Sequence, residues 1–125
     1  MAGCNCGSGE KTNLIYACSG AANTGLLADQ VARALMKDNA GDMTCLAAMG
    51  AGLSGFIASA EGADSNIVID GCPVACGKQI FEKLGLKYRH FITTDFGVQK
   101  NKTAITGEVI EDVKNAIREV ICNGG

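Results

Sequence analysis

Short apolar runs that alternate with helix-like segments constrain the fold of this chain more than any other feature. The clearest run covers residues 66–70 (Asn-Ile-Val-Ile-Asp), which are rich in β-branched side chains and are stopped by Gly71. Apolar residues then recur at helical spacing, and they do so again from Val109 to Ile121. Strands that alternate with helices at short spacing predict βαβ units and a parallel sheet covered on both faces.

The same reading along the chain predicts four strands and four helices. The predicted strands cover residues 13–18, 43–46 with an extension towards 49, 66–70 and 88–94. Predicted helices follow the strands, the first with Asn23 or Thr24 as its N-cap and the third with Pro73 at its first position. We expect a single three-layer α/β domain over residues 13–125, flavodoxin-like or Rossmann-like, with a four-stranded parallel sheet in the order 2-1-3-4. Residues 1–12, which are mostly Gly, Ser, Asn and Cys, are predicted to form a flexible tail.

Charge and hydropathy point to a soluble cytoplasmic protein. The net charge is −2 and no basic cluster stands out, which argues against a nucleic-acid or anionic-membrane partner. No apolar stretch approaches the roughly 20 residues that a membrane span requires, and the N-terminus has no apolar segment of a signal peptide. Electrostatics indicates no particular protein partner.

The chain has seven cysteines, an odd number that cannot all pair within one molecule. In a reducing compartment, cysteines more often bind metal or carry out redox chemistry than form disulfides. We therefore expect a thiol protein rather than a disulfide scaffold.

Four of these cysteines are predicted to share one edge of the sheet. Cys18 closes the first strand, Cys45 lies near the end of the second, and Cys72 follows the third. Cys76 comes four residues later, on the same side of a predicted first helical turn. Ligands of open α/β sheets bind outside the carboxyl ends of the strands.

Such a cluster suits zinc. A tetrahedral zinc site holds four sulfurs about 3.8 Å apart, with Zn–S bonds of about 2.3 Å. A helix that begins at Pro73 would add N–H donors that stabilise thiolates. Core packing is the ordinary alternative for any one cysteine, but four on one edge are harder to explain that way. The same ligands would also suit an iron–sulfur cluster, because ligand type alone does not separate the two.

Three segments of the chain resemble the DGC-domain family, which is named for its Asp-Gly-Cys motif. They are Cys18-Ser19-Gly20, Cys45-Leu46-Ala47 and Asp70-Gly71-Cys72-Pro73-Val74-Ala75-Cys76. The family is described as zinc-binding proteins of unsettled cellular role. The resemblance, specific from Tyr16 to Gly85, implies that Cys18, Cys45, Cys72 and Cys76 are the metal ligands. It also implies that Asp70 ties the loop behind them, although Asp after a strand is a routine turn residue too.

Three other functions compete with zinc binding. The loop after Cys18 resembles that of low-molecular-weight phosphatases, but Thr24 stands where an anion-clamping Arg is needed, so at most a phosphocysteine carrier fits. A thiol-based redox enzyme would use Cys72 as nucleophile with Cys76 or Cys18 resolving. A metal carrier or sensor would use Cys4 and Cys6 on the tail.

The remaining candidates are expected to be structural. His90, the single histidine, falls within the fourth predicted strand and is expected to be a core or edge residue. Cys122, near the end of the last predicted helix, is expected to pack or to lie at the surface.

Overall fold

Strands and helices alternate along the chain in the computed structural model, which describes residues 11–123. In chain order the elements are β1 (Asn13–Ala17), α1 (Asn23–Lys37), β2 (Asp42–Met43), α2 (Leu46–Gly50), α3 (Ser54–Gly62), β3 (Ser65–Asp70), α4 (Cys76–Leu84), β4 (Arg89–Ile92) and α5 (Gly107–Asn123). A 3-10 turn at Thr93–Phe96 follows β4.

The four strands form one parallel sheet in the order β2-β1-β3-β4, which confirms the predicted topology. Ile15 pairs with Ile67 across the central β1–β3 contact, and Ile69 pairs with Phe91 across β3–β4. Since every strand runs the same way, all carboxyl ends lie at one edge of the sheet. The loops that carry Cys18, Cys45 and Cys72 leave the sheet at this edge.

Side chains that alternate along the central strands bury two separate cores, as the pleat of a strand requires. On one face Ile15, Ile67 and Ile69 pack with residues of α1 and α5. On the other face Tyr16 and Val68 pack with residues of α2, α3 and α4. The result is the predicted three-layer α/β arrangement. Among residues 11–123, no helix combines the length and apolar character needed to cross a membrane.

Three strands are shorter than predicted, the first of them by one residue, Cys18. The second was expected over residues 43–46 or beyond, but it covers only Asp42–Met43, and α2 starts at Leu46. The apolar residues after Cys45 belong to a helix instead of a strand, because helical spacing lets Ala48 and Met49 be buried. The fourth strand stops at Ile92 rather than at residue 94. Thr93 leaves the strand because its hydroxyl donates to the Gly71 carbonyl at 2.7 Å.

The helix after the third strand begins three residues later than predicted. Pro73 is not its first residue, because residues 72–75 form a tight turn in which the Ala75 N–H donates to the Cys72 carbonyl at 3.0 Å. Ala75 then adopts a left-handed conformation, with φ of 55°, and α4 starts at Cys76. Cys72 therefore lies outside the helix, on the turn that leads into it.

The N-cap of α1 also differs from the prediction. The N-cap is Ala22, which makes no side-chain hydrogen bond, and Asn23 is the first helical residue. The side chain of Asn23 binds a distant loop instead. Most of the predicted tail at 1–12 lies outside the described residues, whereas the Thr12 N–H donates to the Asp64 carboxylate at 2.7 Å.

Candidate metal centre

Cys18 lies at the carboxyl end of β1, held there by its backbone. Its N–H donates to the Ile69 carbonyl at 2.9 Å, which continues the β1–β3 pairing. The thiol is half-buried and free. Burial raises the pKa of the Cys18 thiol, and the charges of Asp70, Cys76 and Cys72 raise it further, against a hydrogen bond from the Gly71 N–H that lowers it. The charges of Cys72 and Cys76 are thus among the influences on the Cys18 thiol.

Gly71 fixes the path of the chain between β3 and Cys72. Its N–H lowers the pKa of the Cys18 thiol, and its carbonyl accepts the hydroxyl proton of Thr93 at 2.7 Å. A Cβ at this position would lie 2.6 Å from the Thr24 carbonyl oxygen, so only glycine fits. The central residue of the Asp-Gly-Cys motif is therefore required by the close approach of two loops.

Asp70 ties the cysteine turn to both neighbouring elements. Its carboxylate is 1% exposed and accepts the N–H groups of Gly77 at 2.8 Å and Lys78 at 3.0 Å. These are two of the free donors at the start of α4, so the carboxylate caps that helix. The predicted role of Asp70 in fastening the loop agrees with these contacts.

His90 is the third partner of Asp70, at 2.7 Å from Nε2 to Oδ2. It lies in β4 as predicted, but the sequence did not indicate this pairing. The ring of Tyr88 packs edge-on against it with centroids 6.3 Å apart. Because β4 pairs with β3 in parallel, with Val68 opposite His90, the histidine shares a sheet face with Asp70.

Cys45 reaches the same sheet edge on a different strand. It is the N-cap residue of α2, and its thiol is free and exposed. The preceding residue, Thr44, donates its N–H to the Ile15 carbonyl at 2.9 Å, so β1 holds the chain up to this point. Cys76, the first residue of α4, is likewise free and exposed. All four predicted ligands are thus free thiols. Cys72 and Cys76 are among the groups that raise the pKa of Cys18, and Cys45 is not.

Lys100 is a residue of this region that the sequence analysis missed. Its ammonium donates to the Cys72 sulfur at 3.5 Å. The lysine belongs to a loop at residues 99–103, which Asn23 holds against the start of α1. Lys100 and Lys102 are too few to form a nucleic-acid surface, and no short pattern in the sequence links Lys100 to Cys72.

The donor set fits zinc in kind, although the thiols are not gathered around one point. Within residues 11–123, no three His, Cys, Asp or Glu side chains are arranged closely enough to hold a metal ion. The turn at residues 72–75 and the N-cap of α2 would have to bring their sulfurs together on binding. As it stands, the arrangement places the Cys72 thiol beside the Lys100 ammonium.

Two other predicted positions bear on the site less directly. The Cys4 and Cys6 pair lies outside the described residues. Cys122 lies near the end of α5, whose Val120 and Ile121 carbonyls accept the guanidinium of Arg89 at the start of β4. That places Cys122 near the amino edge of the sheet, away from the four free thiols.

The chain is similar to a protein family and to a curated protein. A family model described as the DGC domain matches residues 14–119. The anaerobic and virulence modulator AnvM of Pseudomonas aeruginosa is 34% identical to the chain over 65 residues, which are 52% of this chain and 50% of that protein. The match thus spans about half the length of this curated relative. No solved structure matches the chain.

Proposed function

The chain belongs to the DGC domain family, and from that premise we propose that it binds one Zn²⁺ through Cys18, Cys45, Cys72 and Cys76. The observation that carries the proposal is that these four free thiols come from the carboxyl ends of three neighbouring parallel strands. Four thiolates would close the coordination sphere, which is typical of structural zinc and leaves no position for a reacting water. The metal would then contribute to folding directly.

Charge supports a thiolate site at this edge. Bound thiolates leave the zinc with a net negative charge, and cationic or N–H groups nearby offset it. The Lys100 ammonium contacts Cys72, and the Gly71 N–H lowers the pKa of Cys18. The negative group nearby, Asp70, has both carboxylate oxygens engaged by α4 and His90.

Elemental analysis of protein purified without added metal tests the proposal. We expect one zinc per chain, and we expect Ser at any of the four cysteine positions to weaken zinc binding by more than the roughly 10- to 100-fold typical of outer-shell changes. His90→Gln is the matched control, because His90 contacts Asp70 and not a thiol, and it should keep one zinc. Metal-free protein with four readily titrated thiols at these positions would contradict zinc binding.

A second function, a thiol-based redox enzyme, is favoured by the contact between Lys100 and Cys72. Cys72 would be the nucleophile and Cys76 or Cys18 the resolving thiol. Treatment with a disulfide oxidant should then yield a Cys72–Cys76 or Cys72–Cys18 disulfide, mapped by mass spectrometry and absent from Cys72→Ser. Recovery of four free thiols after that treatment would count against it. A role as metal carrier or sensor depends on Cys4 and Cys6 and stays a prediction.

A further inference from the structure

The cation beside Cys72 has no competing partner in the part of the chain described here. The Lys100 ammonium lies 3.5 Å from the Cys72 sulfur, and no carboxylate of residues 11–123 forms an ion pair with it. The side chain is exposed, so its remaining N–H groups face solvent. A half-buried thiol thus has an unpaired positive charge at its open side.

The position of Lys100 is fixed from a distant part of the fold. The Asn23 side chain at the start of α1 accepts the N–H of Asn101 at 2.7 Å. Its amide also donates to the carbonyls of Gln99 at 3.1 Å and Thr103 at 2.9 Å. Within the loop, the Gln99 N–H donates to the Thr103 hydroxyl at 2.8 Å, and Asn101 takes a left-handed conformation with φ of 66°. Three hydrogen bonds from one side chain therefore hold the residues on both sides of Lys100.

Nearby negative charge does not cancel this cation. The carboxylate of the motif, Asp70, is buried, and its oxygens are occupied by two N–H groups and His90. An anion that approaches Cys72 therefore meets the Lys100 ammonium, while the carboxylate of Asp70 is already paired. A cation beside the sulfur favours an anionic reagent over a neutral one.

We propose that Cys72 accepts a small anionic disulfide, with Lys100 as the residue that binds its carboxylate. The Cys72 thiolate attacks one sulfur of the disulfide, a new S–S bond forms, and the other sulfur leaves as a thiolate that takes up a proton from water. The inference rests on the second function proposed above, in that Cys72 must be free to react. It needs neither a metal nor a resolving cysteine.

The rates of alkylation by a charged and a neutral reagent separate the effect of reagent charge from the fraction of Cys72 that is thiolate. Iodoacetate and iodoacetamide attack the same thiolate, so the ratio of their rate constants at Cys72 does not depend on how much thiolate is present. We expect Lys100→Met to lower this ratio by about two- to fivefold at low salt, as one exposed charge near the reacting atom would. High salt should remove most of the difference. The measurement uses the full chain, with and without chelator treatment, and peptide mass spectrometry resolves Cys72.

Three variants control the experiment. Lys100→Arg keeps the charge and should keep the ratio, and Lys102→Met removes a lysine of the same loop that has no contact with Cys72. Asn23→Ala should lower the ratio, because it releases the loop without removing a charge. A ratio that is unchanged in Lys100→Met, or that falls equally in Lys102→Met, would overturn the proposal.

Disulfide probes complete the test. Ellman's reagent is an anionic disulfide and hydroxyethyl disulfide is a neutral one. The ratio of their rate constants for forming a mixed disulfide at Cys72 should be higher in the unchanged protein than in Lys100→Met. Equal preference in both proteins would contradict the substrate class. Zinc content measured before chelator treatment keeps the two ideas apart: protein that holds no zinc as purified contradicts the zinc proposal, whereas a charge-dependent ratio after chelation supports this inference whether or not zinc was bound before.

Discussion

At the scale of single residues, Asp70 connects the candidate site to the sheet. One buried carboxylate caps α4 through two N–H groups and binds His90 on β4. Gly77 makes this possible because a Cβ there would lie 3.0 Å from the carboxylate and 2.6 Å from Val68. The position of the cysteine turn thus depends on an acid that touches no sulfur.

Replacement of Asp70 by Ala should therefore cost more stability than an ordinary surface change. The loss of charged hydrogen bonds to buried donors is expected to lower the free energy of unfolding by about 3 kcal/mol. Asp70→Asn should cost less, since its amide oxygen still accepts one N–H. Urea unfolding followed by circular dichroism measures both.

Asp29→Ala is the matched control for this prediction. It removes an exposed ion pair with Arg33 on α1 and should change stability by less than about 1 kcal/mol. An equal cost for Asp70→Ala and Asp29→Ala would mean that the carboxylate does not organise this edge.

At the scale of elements, the structure differs most clearly from the prediction at the start of α4. Pro73 predicted a first helical residue, yet the fixed φ of proline also suits the second position of a tight turn, and residues 72–75 form one. The sequence could not choose between these, because the choice depends on Asp70 capping the N–H groups of Gly77 and Lys78. Ala75 carries the resulting left-handed conformation.

Ala75→Gly should stabilise the protein for this reason. An L-residue in the left-handed region costs roughly 1–2 kcal/mol, and glycine removes that cost at the expense of some chain entropy, so the expected gain is about 0.5–1 kcal/mol. Thermal unfolding and urea midpoints measure it.

The same substitution in an exposed helix should have the opposite sign. Ala58→Gly, inside α3, is expected to lose about 1 kcal/mol. A loss at both positions would show that Ala75 is not strained in solution.

At the scale of the whole molecule, the fold was predictable and the site only in part. Apolar runs at β1 and β3 fixed two central strands, and the alternation with helices fixed the parallel order. The ends of the strands then located Cys18, Cys45 and Cys72 correctly at one edge. Lys100, Asn23 and the His90–Asp70 pair were not predictable, because each joins segments far apart in the chain and no short pattern marks them.

Tyr16, in the centre of the sheet, should make the whole fold sensitive to alkali. Its ring is fully buried against Phe81, with centroids 4.8 Å apart, and its hydroxyl donates to the Asn66 side chain at 2.9 Å. Burial raises the pKa of Tyr16 from 10.0 to about 12. The folded protein therefore keeps a proton that the unfolded chain releases, and stability falls as the pH rises from 10 towards 12.

The expected loss is about 2–3 kcal/mol over that interval. Tyr16→Phe should be less stable at neutral pH, since Asn66 loses a donor, but it should lack this part of the alkaline decline. Tyr88→Phe, which removes a hydroxyl bonded to Glu82 at the surface, should retain it. Urea midpoints measured across the pH range compare the three proteins, and an identical decline in Tyr16→Phe would contradict the assignment.

The loop tied to Asn23 also has a consequence for how the protein is made. Asn23 and Thr103, which it binds, are 80 positions apart. The ribosome therefore synthesises Cys18, Cys45, Cys72 and Cys76 before the loop at residues 99–103, which holds Lys100 beside Cys72. During that interval the nascent chain presents four thiols without their finished surroundings. Newly synthesised chains should thus be the population most open to adventitious metal or oxidation, and maturation of the site should be among the last steps of folding.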